Sequence, residues 1–318
     1  MTTTDATKAT PIGFVGLGNM GAPMVRCLAK AGHAVIAYDV RQGVAATLAG
    51  EAASGGRVRA AASLAEVGGA AEIVITMLPD SKIVRQAVMG DKPGAGLAAT
   101  LRPGGIVVDM SSSYPLDTRK LADALAAQKI AVVDAPVSGG VGKAIAGTLA
   151  IMAGGTASAV DKVAPVLAAM GQVHRCGALG AGHAIKALNN YVSAAGLIAT
   201  CEALVIAEQF GLDAAVVTHV INASTGRNNT TENKAGRYLI PRAYTSGFAL
   251  ALMEKDVGMA CALARELGVD AEELAFVADY LARAAVALGR DADHTAVMAL
   301  VADRVSSGKS KPKAKRGG

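Results

Sequence analysis

Between residues 11 and 176, short runs rich in Val and Ile alternate with helical stretches, falling at 11–16, 34–39, 57–60, 72–77, 105–109, 130–134, 148–153 and 171–176. Such an alternation of strand and helix signals leaves room for little except a mainly parallel sheet with helices packed on it. After Gly177 the strand signals stop, and helical patterns occupy 181–210, 213–223, 248–267, 270–288 and 293–305. An α/β half is therefore followed by an all-helical one, with no internal repeat of the solenoid kind.

The first strand runs into a glycine turn, Pro11-Ile-Gly-Phe-Val-Gly16-Leu-Gly18-Asn19-Met20-Gly21. A strand entering such a turn and leaving it as a helix is the context that a dinucleotide fingerprint requires. Gly16 permits the tight turn, Gly18 allows backbone to approach a pyrophosphate, and Gly21 lets the helix pack closely on its strand. The second run, Ala34-Val-Ile-Ala-Tyr-Asp39, ends in a carboxylate 18 residues after Gly21, positioned for the adenosine ribose hydroxyls. Asp39 would repel a 2′-phosphate and so favours NAD, while Arg41 leaves NADP open. The fold expected is thus a Rossmann-type, doubly wound, mainly parallel sheet followed by an all-α domain. Its divisions are a disordered N-terminus at 1–10, a dinucleotide-binding domain at 11–178, a helical substrate and oligomerisation domain at 179–305, and a disordered basic tail at 306–318.

Composition narrows the partners. Aromatics make up only 3% of a chain that is 52% hydrophobic, so aliphatic side chains must fill the cores. The net charge of +5 is matched by Lys309, Lys311, Lys313, Lys315 and Arg316 in the tail, which leaves the body near neutral and makes nucleic acid a poor fit as partner. Cys27, Cys176, Cys201 and Cys261 form no CxxC pair, in keeping with reduced thiols and a cytoplasmic location. No histidine stands at metal-ligand spacing, so no metal is expected. Residues 1–10 lack the apolar core of a secretory signal, and no membrane span is expected from the interrupted apolar stretches.

Chemistry points to Gly180-Ala-Gly-His-Ala-Ile-Lys186-Ala-Leu-Asn189-Asn190, where Lys186 is the only Lys, Arg, Asp or Glu between Arg175 and Glu202. On a helix Lys186, Asn189 and Asn190 share one face. A lone amine in an apolar stretch either snorkels to the surface or serves a reaction. In Asp134-Ala-Pro-Val-Ser138-Gly139-Gly140, consecutive glycines let N–H groups converge on an anion beside the Ser138 hydroxyl, unless the segment is a plain crossover loop. Asp109-Met-Ser111-Ser112-Ser113 closes a strand with hydroxyls, one of which a helix cap would explain. Phe248-Ala-Leu-Ala-Leu252-Met-Glu-Lys255-Asp256 places a second Lys in an apolar helix, where a surface ion pair with Glu254 or Asp256 is the alternative use. Two such halves suggest a cleft between them for a small molecule.

Taken together, the GLGNMG turn, DAPVSGG continuing through Gly147–Gly155, the lysine helix at 180–190 and the 248–256 segment resemble the β-hydroxyacid dehydrogenase family, of the 3-hydroxyisobutyrate dehydrogenase and tartronate semialdehyde reductase kind, over residues 11–305. Cys27 and Gly142-Lys143 depart from the common pattern away from the chemistry. The resemblance implies that Lys186 is the acid/base and that Asn190 orients a small carboxylate-bearing substrate held by Ser138, Gly139, Gly140, Ser112 and Asn189. It places Gly16, Gly18, Asn19, Met20, Gly21, Asp39, Leu78, Pro79, Phe248 and Lys255 against the dinucleotide. Desolvation and a nearby nicotinamide cation would lower the lysine's ordinary pKa of about 10.4 toward a useful range. Ser224–Lys234 is the stretch expected to help choose the substrate, and a homodimer or homotetramer is expected from the Ala/Gly-rich long helix. Two rivals are an imine reductase-like enzyme, which would lack the lysine, and a non-catalytic dinucleotide-binding module using its basic tail. A 6-phosphogluconate dehydrogenase would be longer and carry His where Asn189 stands.

Overall fold

In a computed structural model of the protein, which describes residues 10–92 and 94–309, the chain divides into two compact units after Lys186. The sheet of the first unit is built from β1 (Ile12–Val15), β2 (Val35–Tyr38), β3 (Val58–Ala60), β4 (Ile73–Thr76), β5 (Ile106–Asp109), β6 (Ala131–Asp134), β7 (Val137–Ser138), β8 (Leu149–Gly154) and β9 (Gly171–Gly177). Strand order is β3-β2-β1-β4-β5-β6-β8-β7, with β9 also paired to β8. From β3 to β6 every pairing is parallel, whereas β8 runs antiparallel to β6 and β7 and parallel to β9. The order reverses between β1 and β4, and at such a point the loops beyond the carboxyl ends of the strands diverge to leave a crevice.

Both faces of the sheet are covered, which is why its central strands read as unbroken apolar runs rather than as alternation. Phe14, Ile75, Val108 and Val133 enter one core with Met24, Leu28 and Ile151. Their strand neighbours Val15, Val74, Val107 and Val132 enter the other, with Val84, Leu97 and Leu125. Each such aliphatic side chain removed from water contributes about 1.5–3 kcal/mol before entropy is counted. Helix starts follow local chemistry: Asp80 accepts from Ile83 N at 2.9 Å, and Ser63 accepts from Glu66 N at 3.1 Å.

The second unit is helical among the described residues, with Ala214–Asn222, Leu250–Glu266, Glu272–Leu288 and Val297–Lys309 gathered on the long helix Ala181–Phe210. That helix begins in the first unit, so the division into compact units falls inside it, after Lys186. It is long and apolar enough to cross a membrane by length and composition, but half of the qualifying window is buried inside the protein. Leu197, Cys201, Leu204 and Val205 supply its share of the helical core.

Three features differ from the sequence reading. The segment after β6 is not a simple loop: Val137 and Ser138 form a short strand against β8. The stretch 224–234 contains a helix, Asn229–Asn233, started by an Asn228 and Thr231 capping box and followed by a π-helical turn at Ala235–Leu239. Helix Val297–Lys309 runs past the expected end at 305, while residues 1–9 and 310–318, with the rest of the expected tail, lie outside the described residues.

Candidate active site

The glycine turn after β1 has the form its spacing requires. Gly16 has φ +97°, and a Cβ there would stand 2.3 Å from the Met77 carbonyl oxygen. One at Gly21 would lie 1.9 Å from the carbonyl oxygen of Gly16, so the helix Gly21–Lys30 can sit this close only without a side chain. Gly18 instead faces open space, with nothing within 4 Å of an added Cβ, which leaves its backbone accessible to a diphosphate. At the end of β2, Asp39 accepts from Leu17 N at 2.8 Å and from Arg41 N and Nε at 2.9 Å each. Burial pushes the Asp39 carboxyl up, but hydrogen bonds from Arg41 and Leu17 outweigh it and hold the group below its ordinary value. The carboxylate thus braces the glycine turn while lying next to it, and the residues present fit a dinucleotide.

Loops after β4, β5 and β6 are joined by buried polar contacts. Asp109, closing β5, accepts from Thr76 Oγ1 at 3.0 Å, Ser111 N at 3.0 Å and Ser113 Oγ at 2.6 Å. Leu78 N donates to Ser111 Oγ at 2.9 Å, which fixes the Leu78-Pro79 turn against the serine loop, where Ser112 is half-buried. Asp134 stands opposite Asp109 at the end of β6 and accepts from Gly180 N and His183 N, both at 2.8 Å, so it caps the start of the long helix. Ser138 is half-buried, and Gly139 and Gly140 are exposed with φ +133° and +69°, where the helix Gly140–Ala146 begins.

Lys186 lies on the second turn of the long helix and is only 9% exposed. Asn190, one turn later, is 7% exposed; its Nδ2 donates to Asp256 Oδ2 at 2.5 Å and its Oδ1 accepts from Asn189 Nδ2 at 3.1 Å. Asn189 itself is exposed. Asp256 is 2% exposed and is paired through Oδ1 with Lys255 Nζ at 3.2 Å, while Phe248 packs edge-on against the His294 ring. Lys255 therefore forms an ion pair on the helix and, through Asp256, reaches Asn190.

The first unit carries the glycine turn, Asp39, Leu78, Ser112, Ser138–Gly140 and Lys186; hydrogen bonds join Asp39 to the glycine turn and Leu78 to the serine loop. The second unites Asn189, Asn190, Lys255 and Asp256. Sequence reasoning missed Asp109, Asp134 and His183 as structural partners, although the repeated Val-Val-Asp at 107–109 and 132–134 is a visible signal of paired strand ends. Among the described residues no group of three His, Cys, Asp or Glu side chains is placed to hold a metal.

Comparison with known proteins identifies the family and supports the fold. The model of the NAD binding domain of 6-phosphogluconate dehydrogenase matches residues 11–180, and that of the NAD-binding domain of NADP-dependent 3-hydroxyisobutyrate dehydrogenase matches residues 180–301. A 2-(hydroxymethyl)glutarate dehydrogenase of Eubacterium barkeri is 36% identical over 81% of this chain and 84% of its own. A 3-hydroxyisobutyrate dehydrogenase of Pseudomonas aeruginosa is 38% identical over 80% of this chain and 86% of its own. The solved Mycobacterium tuberculosis 3-hydroxyisobutyrate dehydrogenase with L-serine superposes with a TM-score of 0.80, at 36% identity, over 92% of this chain and 99% of that one. Fold and family matches define a nicotinamide-dependent dehydrogenase with a Rossmann domain and a helical C-terminal domain. The chain belongs to the β-hydroxyacid dehydrogenase family and is an NAD(P)-dependent oxidoreductase of hydroxy acids.

Proposed function

We propose that Lys186 is the proton-transfer group in the interconversion of a small 3-hydroxy acid with its semialdehyde or keto acid. The observation that carries this is the burial of Lys186 one turn before the buried Asn190, in a stretch with no other charged side chain. In oxidation Nζ of Lys186, as the neutral amine, takes the proton from the β-hydroxyl; in reduction the ammonium returns it. Asn190, held by Asp256, turns its amide toward that oxygen and keeps it in line. The Ser138 hydroxyl and the N–H groups of Gly139 and Gly140 receive the carboxylate, and Ser112 adds a hydroxyl contact. The nicotinamide, when bound, accepts or supplies the hydride. Gly16, Gly18, Asn19, Met20, Gly21, Asp39, Leu78, Pro79, Phe248 and Lys255 are assigned to holding the dinucleotide.

Asp39 favours NAD because its carboxylate opposes a 2′-phosphate, while Arg41 beside it leaves some use of NADP. Four free cysteines support a cytoplasmic location, and the exposed aliphatic stripe of the long helix supports a homodimer or homotetramer. Substrate side chain is read from activity: 3-hydroxyisobutyrate, 2-(hydroxymethyl)glutarate, L- and D-serine and glycerate, each with NAD and with NADP, are followed by nicotinamide absorbance. Lys186→Ala and Lys186→Met should bind NAD as the parent does while kcat falls by about 10²–10⁴-fold. Near-normal turnover in either variant refutes the assignment.

A further inference from the structure

One buried imidazole ties the start of the long helix to the ends of two neighbouring strands. His183 is 1% exposed, with Nε2 3.0 Å from the Ser111 carbonyl oxygen and Nδ1 2.8 Å from Thr118 Oγ1. A carbonyl only accepts, so Nε2 carries a proton, and in the neutral ring the Thr118 hydroxyl donates to Nδ1. The backbone N–H of the same residue donates to Asp134 Oδ2. His183 therefore grips the serine loop after β5, the helix Pro115–Ala126 that carries Thr118, and the strand end at Asp134. Ser111 is in turn bound to Leu78 N and Asp109, so an unbroken line of hydrogen bonds runs from the Leu78-Pro79 turn to the helix that carries Lys186.

The ring is not there simply to satisfy the two carboxylates near it. Asp109 Oδ2, 3.7 Å away, already accepts from Ser113, and Asp134 Oδ2, 3.9 Å from the ring, accepts from the His183 N–H. What only the ring supplies is the link between Ser111 and Thr118. Lys186 follows three residues later, on the same side of the helix and about 4.5 Å further along its axis.

We propose that His183 is a positioning residue: its ring fixes the serine loop against the first turn of the helix and so fixes the place of the Lys186 amine relative to Ser112. This rests on the reading of Lys186 as the proton-transfer group. Displacement of a reacting group by about 1 Å can cost on the order of 100-fold in rate. His183→Leu keeps bulk but leaves the Ser111 carbonyl and the Thr118 hydroxyl facing methyl groups. His183→Gln offers an amide N–H of similar reach to the carbonyl.

The test compares the parent with His183→Leu, His183→Gln, Thr118→Val and Lys186→Ala, using NAD and whichever of L-serine, 3-hydroxyisobutyrate and 2-(hydroxymethyl)glutarate turns over fastest. His183→Leu should lose about 10–100-fold in kcat while its calorimetric Kd for NAD stays within about threefold, and His183→Gln should recover most of that loss. A His183→Leu protein with parental kcat, or a His183→Gln protein no faster than His183→Leu at equal Tm, overturns the proposal. If His183→Leu does not fold, Thr118→Val decides: lowered kcat at unchanged Tm and NAD Kd supports the link, and unchanged kcat overturns it. An active Lys186→Ala removes the reading beneath the proposal, whereas an inactive Lys186→Ala beside a fully active His183→Leu removes the proposal alone.

Discussion

Two buried side chains of the second unit make demands that solution measurements can read. Asp256 accepts from Asn190 on one oxygen and pairs with Lys255 on the other, so a single carboxylate sets the amide and neutralises the ammonium. Removing one partner of a buried polar pair costs about 1–3 kcal/mol. Asp256→Ala should therefore lower Tm and kcat together, whereas Asp256→Asn, which can still accept from Asn190, should keep more of both; equal losses in the two variants would argue against the amide-setting role. His294 makes a different demand. Its Nδ1 faces the Phe248 carbonyl oxygen at 3.1 Å, so Nδ1 carries the proton and the buried Nε2 has no hydrogen-bond partner among the described residues. Burial, with Lys234 nearby, pushes the ring down to about 4, against the partial opposition of Asp293. Because the folded value is depressed, the unfolded chain binds the extra proton first, and the stabilisation is complete above about pH 6.5 and is lost as pH falls toward 4. The loss is on the order of 2–4 kcal/mol, and the Tm of His294→Gln should fall less steeply than that of the parent across this window. Parallel Tm curves would remove His294 from the acid sensitivity.

At the scale of elements, steric room separates the roles of the fingerprint glycines. An Ala at Gly21 would put its Cβ 1.9 Å from the Gly16 carbonyl oxygen, which only a shift of the helix Gly21–Lys30 can relieve. Gly21→Ala should lower the Tm of the cofactor-free protein, with about 1–3 kcal/mol lost, and weaken NAD as well. Gly18→Ala meets nothing within 4 Å, so its cofactor-free Tm should match the parent while NAD binding weakens, read by calorimetry; parental NAD affinity would place the diphosphate elsewhere. These elements were legible because their signals are local. Strands buried on both faces read as Val/Ile runs, the turn glycines stand at fixed spacing, and the long helix lacks Pro throughout 181–210. What was not legible depends on contacts distant in sequence. Val137-Ser138 becomes a strand only because β8 returns antiparallel beside it, and Asp134 becomes a helix cap only because Gly180 and His183 arrive 46 and 49 residues later. The helix at Asn229–Asn233 is too short for periodicity to reveal, although the Asn228 and Thr231 pair that starts it is a capping signature.

For the whole molecule, the long helix gives the same periodicity two uses. Leu197, Leu204 and their neighbours are buried, while Val192, Ile206 and Phe210 are 65%, 69% and 82% exposed, and Val216 and Val220 on the next helix are also more than half exposed. Val192 and Ile206 are separated by close to four helical turns and so lie on one face, with the exposed Ala199 midway between them. An aliphatic face of this kind gains about 25 cal/mol for each Å² it removes from water, and a symmetric pairing of two copies would cover it with an identical surface. Light scattering should accordingly give the mass of a dimer or tetramer for the parent and a smaller species for the double variant Val192→Glu with Ile206→Glu. Because both side chains already stand in solvent within one chain, their replacement should change the stability of the separated chain by no more than about 0.5 kcal/mol. A parent that remains monomeric at high concentration would leave this face without the role assigned to it, and retention of the parental mass by the double variant would move the interface to another surface.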